Sequence, residues 1–214
     1  MWEGVLVRKK ALVSILVVVM TIVCLAGCSG KPGFETSSLV NASKQYGIAQ
    51  AYNILDVTSL ISVSTNVGTA YYVSKDQNDA QRVYDYYINT SGNLPKVVVN
   101  EAAVVAANEY FENGNNTTIV YQLNLKNSGE AKELYSAFAD AFVSKDQFAS
   151  DKKDGYNYTI SFFDGQIIMH KRAVYVKGNS VLFIYGITAG ASDETGFSNY
   201  IFKSLKVVDP IILN

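Results

Sequence analysis

The chain has 214 residues, with 18 Lys+Arg against 19 Asp+Glu and a formal net charge of −1. A near-neutral chain with no dominant basic patch excludes nucleic acid as an expected partner. One histidine and two cysteines exclude a zinc site of the usual His and Cys type within one chain, and no metal or other cofactor is expected.

Residues 1–10 form a short basic region that ends in Arg8, Lys9 and Lys10. An uncharged apolar run follows from Ala11 to Val23, broken only by Ser14 and Thr21. Small residues then precede Cys28. Charge, apolar run and small-residue site in that order are the layout of a secretory signal peptide. The run falls short of the roughly 20 apolar residues of a spanning helix. With Leu25 to Gly27 added it reaches a marginal span, so an uncleaved anchor is the competing reading.

The residues Leu25-Ala26-Gly27-Cys28 resemble the lipobox of bacterial lipoproteins, the type II signal-peptide motif. Leu, two small residues and Cys all match. Cys24 lacks this context, because Thr21, Ile22 and Val23 precede it. The resemblance covers the first 28 residues and implies lipidation of Cys28, with Leu25, Ala26 and Gly27 read by the signal peptidase. It also implies a protein held on the extracytoplasmic face of the cell membrane. One acyl chain holds a protein marginally and two hold it stably; a diacylglyceryl group supplies two. Cleavage removes Glu3, Arg8, Lys9 and Lys10, so the remainder is slightly more acidic. It also leaves no thiol free to form a disulfide.

The expected organisation is a signal peptide over residues 1–27, the lipidated Cys with a flexible tether over 28–36, and an α+β domain over 37–214. The tether reading rests on Gly30, Pro32 and Gly33 in a stretch without periodicity. Ser37 and Ser38 offer caps for a helix ending near Gly47, with Leu39, Ala42 and Tyr46 on its inner face. Residues 48–66 are ambiguous, with a strand placed near Leu60 to Ser64.

A strand-then-helix unit then occurs twice. Gly68 to Ser74 reads as a strand, followed by the helical stripe Ala80, Val83, Tyr84, Tyr87 and Ile88. Thr118 to Lys126 reads as a second strand, followed by Asn127 and Ser128 as a cap and by Ala131, Leu134, Tyr135 and Phe138. The stripes match at an offset of 51 and the strands at 50. Duplication and coincidence between two amphipathic helices both explain this. A weaker third copy runs through Val181 to Ile187 and then Phe197, Tyr200, Ile201 and Leu205.

Val97 to Val99 favours strand, while the Ala-rich run Glu101 to Ala107 is compatible with helix. Asn113 to Asn116 is a turn candidate ahead of Thr118. Asp164-Gly165 and Gly178-Asn179 are hairpin signals that predict a three-stranded meander over residues 158–187. The resulting fold class is α+β, an antiparallel sheet with helices packed on one face. In pattern it is similar to small extracytoplasmic lipoproteins of Gram-positive bacteria.

No catalytic residue is assigned. His170 sits in a strand among charged neighbours, without a Gly-x-Ser-x-Gly elbow anywhere. The carboxylate pairs Glu109 with Glu112 and Asp76 with Asp79 lie beside turn residues, where acids serve solvated loop ends and helix starts. Gly186 to Gly190 lacks the spacing and the Lys of a phosphate loop. Tyrosine is abundant, at 15 residues, and suits recognition. Tyr72 and Tyr86 fall off the apolar stripes and are the candidates for an exposed contact. The expected function is that of a membrane-anchored, non-enzymatic binding module for an extracytoplasmic protein or small ligand. The alternatives are a carboxylate-dependent hydrolase of the envelope and a purely structural envelope component.

Overall fold

A computed structural model describes residues 33–62, 67–112, 114–141, 147–165, 168–190 and 196–213. The lipobox residues Leu25 to Cys28 lie outside them. Residues 32–214 form one compact unit. In chain order its elements are α1 (Thr36–Tyr46), β1 (Ala49–Gln50), α2 (Ile54–Ser62), β2 (Gly68–Val73) and α3 (Gln77–Val83), which continues into a π turn at Tyr84–Ile88. Then come β3 (Val99–Phe111), β4 (Gly114–Leu125), α4 (Ser128–Asp140), β5 (Gln147–Lys153), β6 (Tyr156–Asp164), β7 (Ile168–Lys177), β8 (Ser180–Gly190), α5 (Phe197–Leu205) and a 3₁₀ turn, Pro210–Leu213.

The strands make one eight-stranded sheet in the order β1-β2-β3-β4-β8-β7-β6-β5. Every pairing is antiparallel except β1 with β2. The mixed α+β class therefore holds, but the placement of helices on one face does not. Alternation along β3 sends Ala103, Val105 and Ala107 to one face, where they meet Leu39 and Ala42 of α1 and Phe197, Ile201 and Phe202 of α5. It sends Ala102, Val104 and Ala106 to the other, where they meet Ile54 and Val57 of α2, Ala80 and Val83 of α3, and Leu134 of α4. Helices thus cover both faces, and the sheet carries two hydrophobic cores. Both are built from residues of the compact unit alone.

This double burial explains the Ala-rich run in β3. A strand covered on both faces reads as continuously apolar, and small side chains let helices approach from each side. The run is strand throughout, so helix is excluded there.

Residues 54–62 form helix α2 in place of the strand expected near Leu60. Asn53 Oδ1 accepts the Asp56 N–H at 3.1 Å, and Ile54 and Val57 are buried with Leu60 and Ile61 packed beside them. That i, i+3, i+7 stripe was present in the sequence, hidden among β-branched residues. The C-terminus of α1 is as expected: Gly47 adopts φ 96°, and its N–H bonds back to Lys44, a left-handed cap that glycine adopts at little cost.

The two strand–helix units share their helix starts. Asp76 accepts the Asp79 N–H, and Asn127 accepts the Glu130 N–H, each at 2.9 Å. The likeness ends there. β2 spans six residues and β4 twelve, and α3 gives way to a π turn where α4 continues. The third helix, α5, lies on the opposite face from α3 and α4.

The meander has four strands. Lys177 pairs with Ser180 across Gly178-Asn179 as expected, with Gly178 at φ 58°. The Asp164-Gly165 signal marks the right hairpin, but strand pairing still holds at Asp164 with Met169. The extra strand, β5, joins β6 through Asp154 (φ 48°) and Gly155 (φ 83°), an Asp-Gly turn with positive φ at both positions that suits strand twist.

Candidate functional site

The site begins where the described chain begins. Gly33, Phe34 and Glu35, expected in the tether, belong to the folded unit. The Phe34 carbonyl accepts from Gln122 Nε2 at 3.0 Å and from Ser180 Oγ at 3.3 Å. Its ring lies 5.9 Å from that of Tyr156 and 6.4 Å from that of Tyr175. At Gly33 a Cβ would fall 2.1 Å from Ser180 Oγ, so only glycine allows this approach to β8.

Beside this segment, Thr36, Glu101 and Asn124 form a small network. The Thr36 hydroxyl and Asn124 Nδ2 both donate to Glu101 Oε2 at 2.7 Å, and the Ser180 hydroxyl donates to Asn124. These polar groups bind one another and fasten the start of α1 to the sheet.

A cleft of about 530 Å³ opens on the other side, between the start of α1, the end of α5 and the β5–β6 and β7–β8 turns. Phe34, Tyr156, Leu182 and Val207 form its apolar floor, and Glu35, Asp154, Lys177 and Lys206 line it with charge. Local backbone geometry presents two of these. Asp154 occupies the tight turn described above. Lys206 is the left-handed cap of α5 at φ 55°, a conformation uncommon for a residue with a Cβ.

Deeper in, the buried Tyr175 hydroxyl donates to the Val208 carbonyl. The neighbouring Tyr156 is also buried, and its hydroxyl makes no hydrogen bond. Burial raises its pKa, an effect eased by the Val208 backbone N–H beside it. A buried hydroxyl without a partner costs free energy. The cleft can take an apolar group against the half-buried Phe34 while meeting both signs of charge. It brings no nucleophile to a base. Among the described residues no three His, Cys, Asp or Glu are placed to share a metal ion.

A second polar cluster beneath α5 is closed to ligands. Lys171, 4% exposed, donates to Asn199 Oδ1 at 2.6 Å and pairs with Asp209 at 3.2 Å, with the Phe202 ring 5.7 Å away. Burial pulls its pKa down, and Asp209 opposes that. The cluster ties α5 and the C-terminal segment to β7. Just above it, a Cβ at Gly186 would meet Ser198 Oγ at 2.6 Å, so that glycine serves helix packing.

The residues singled out from sequence scatter. Tyr72 is not exposed: it is buried, and its hydroxyl donates to Asp79. Alternation along β2 places it against the core shared with α2 and α3. Tyr86 is exposed at 70%, on the π turn across the sheet from the cleft. Asp76 caps α3. Asp79 accepts from Tyr72 and from the Lys75 N–H at 3.0 Å. Burial raises the Asp79 pKa, but these hydrogen bonds outweigh it and hold the carboxyl below its usual value, the reverse of what a general acid needs. Glu109 accepts the Tyr46 hydroxyl at 2.5 Å and the Phe197 N–H at 2.9 Å, so it secures α5. His170 Nδ1 contacts the Tyr185 hydroxyl at 3.1 Å. The cleft residues escaped sequence reading because they come from five separate segments. The local signals beside the cleft are the two turn dipeptides, Gly178-Asn179 and the unread Asp154-Gly155.

Tyr72, Tyr84 and Tyr121 each have a pKa raised to about 12, in every case chiefly by burial. Below pH 10 their contribution to stability is complete. Between about 10 and 12 the unfolded chain loses these protons while the fold keeps them, so stability falls. In an alkaline titration the last rise in tyrosinate absorbance should coincide with loss of far-ultraviolet circular dichroism. A complete absorbance rise with the dichroism intact would contradict the burial of these hydroxyls.

No family model and no curated protein matches the chain. Among solved structures, the extracellular domain of PknH from Mycobacterium tuberculosis is similar over 72% of this chain and 92% of that one, at 12% identity and a TM-score of 0.37. No helix of the described residues is long and apolar enough to cross a membrane.

Proposed function

We propose that this chain is an extracytoplasmic lipoprotein, cut after Gly27 and lipidated on Cys28, whose domain binds a small amphipathic ligand in the cleft. The observation that carries the binding reading is the concave cleft itself, in which Lys177 and Lys206 share an apolar-floored lining with Glu35 and Asp154. The ligand that fits has an apolar body and both charges, as an apolar amino acid or short peptide has. Pockets of this kind hold ligands through apolar contact and a few placed polar groups.

The anchor is tested with Cys28→Ala, which should leave an uncut precursor without acyl mass in the membrane fraction. A wild-type N-terminus elsewhere, also without acyl mass, would overturn the lipobox reading. The cleft is tested by titrating the soluble domain with apolar dipeptides and following amide shifts by NMR. Shifts should centre on Phe34, Tyr156, Leu182 and Lys206. Lys177→Gln and Lys206→Gln should each weaken binding by up to about fivefold, the worth of one exposed charge contact. Shifts that avoid the cleft, or none at millimolar dipeptide, would exclude this ligand class.

A further inference from the structure

The last strand of the sheet is β5, and its turn to β6 fixes which of its backbone groups face outward. Asp154-Gly155 is a two-residue turn with positive φ at both positions, so Lys153 and Tyr156 exchange both ladder hydrogen bonds. Pairs alternate from there. Residues 147, 149, 151 and 153 bond inward to β6, while Phe148, Ser150 and Lys152 turn their N–H and C=O groups outward. The outward Lys152 N–H donates to its neighbour Asp151 Oδ1 at 2.7 Å. The outward groups of Phe148 and Ser150 have no partner among the described residues. Open edges are commonly blunted by charge. In β5 charge is confined to Asp151, Lys152 and Lys153, and Gln147 to Ser150 carry none. Apolar side chains lead to this uncharged half. Phe148 on β5, Phe163 on β6 and Ile168 on β7 are all exposed. The register puts them on one face, each displaced from the last by two residues, so they form a diagonal stripe that runs to the edge. The 3₁₀ turn with the exposed Ile211 and Ile212 also packs against β5.

We propose that this edge is a homodimer interface, in which β5 pairs antiparallel with β5 of a second copy about a two-fold axis at Ala149. The edge complements itself, as a two-fold interface requires. In this register Phe148 of each copy lies opposite Ser150 of the other, and both pairs exchange both ladder hydrogen bonds. The Asp151 cap on the Lys152 N–H is kept. The two Phe148 rings become diagonal neighbours on one face, within reach of each other. They continue the stripe at the same two-residue step, so the apolar patches of the two copies join. On the other face Ala149 meets its counterpart, small beside small, and Gln147 lies opposite Asp151, an amide donor facing a carboxylate. The lysines fall at opposite ends of the paired strands. An axis at Ser150 would need the capped Lys152 N–H and break the step of the stripe. An axis at Asp151 would set two carboxylates against each other, which is unfavourable.

The test uses the domain of residues 32–214, which holds both cores and contains no cysteine. Analytical ultracentrifugation should show a monomer–dimer equilibrium that moves toward dimer as protein is raised to millimolar. Ser150→Pro removes half of the new hydrogen bonds and leaves the β6 ladder intact. It should weaken dimerisation at least tenfold, given about fivefold per hydrogen bond. Phe148→Lys should weaken it about tenfold through loss of the aromatic contact. Circular dichroism checks that both variants fold. Ala149→Cys should cross-link to its counterpart on mild oxidation, because a pair of this kind sets the Cα atoms about 4.5 Å apart, within disulfide range. Lys153→Cys, whose counterpart lies at the other end of the paired strands, should not. A monomer at millimolar protein would overturn the inference and leave the edge to a different chain. A dimer that both variants retain, or equal cross-linking at the two cysteines, would place the contact elsewhere and overturn it as well.

Discussion

Tyr84→Ala should lower the stability of the domain by about 3–5 kcal/mol, while Tyr86→Ala, two residues on, should change it by no more than about 0.5 kcal/mol. Tyr84 is 1% exposed, and its hydroxyl donates to the Pro95 carbonyl at 2.6 Å. Its ring completes the stripe begun by Ala80 and Val83 against β3. The substitution therefore opens a cavity and leaves a carbonyl of the loop before β3 without that donor. Tyr86 projects from the next turn into solvent. Urea melts of both variants measure the difference. Comparable losses at the two positions would mean that the π turn does not set the helical phase described here.

Phe197→Ala should also cost about 3–5 kcal/mol, and it tests the opposite face of the sheet. Phe197 opens α5. It is fully buried, with its ring 5.0 Å from Tyr46 of α1, and its N–H donates to Glu109. Leu134→Ala, beneath α4 on the other face, should cost about 2–5 kcal/mol. The two side chains belong to different cores and share no partner, so their effects should add. Each variant should still unfold in one transition, because both cores use the same sheet. A silent Phe197→Ala would mean that α5 is not part of the core. Two separate transitions would mean that the faces fold independently.

What could be read from the sequence was local in origin. The period-2 runs and the Gly178-Asn179 turn placed β6, β7 and β8, and the 3.6-residue stripes placed α1, α3, α4 and α5. The Asn127 cap and the Gly47 stop were also legible, because each works through a neighbour three or four residues away. The lipobox likeness is of the same kind, four consecutive residues that carry their meaning without a fold. Helix α2 was missed because its apolar stripe is written in residues that also favour strands.

Only the tertiary structure decided which face each helix covers. A strand such as β3, apolar at every position from Ala102 to Ala107, does not say which helix will cover which face. The choice is made by connections and packing across the whole sheet. The same holds for Tyr72, whose burial depends on α2 and α3 closing over β2, and for the carboxylates, which become caps and fasteners only when distant segments reach them. It holds above all for the cleft. Its floor and charged lining come from the first described residues, two hairpin turns, a strand and the end of the last helix. Long-range contacts bring these together, and hydrophobic burial, which drives them, is non-directional and does not record in the chain which distant segments will meet.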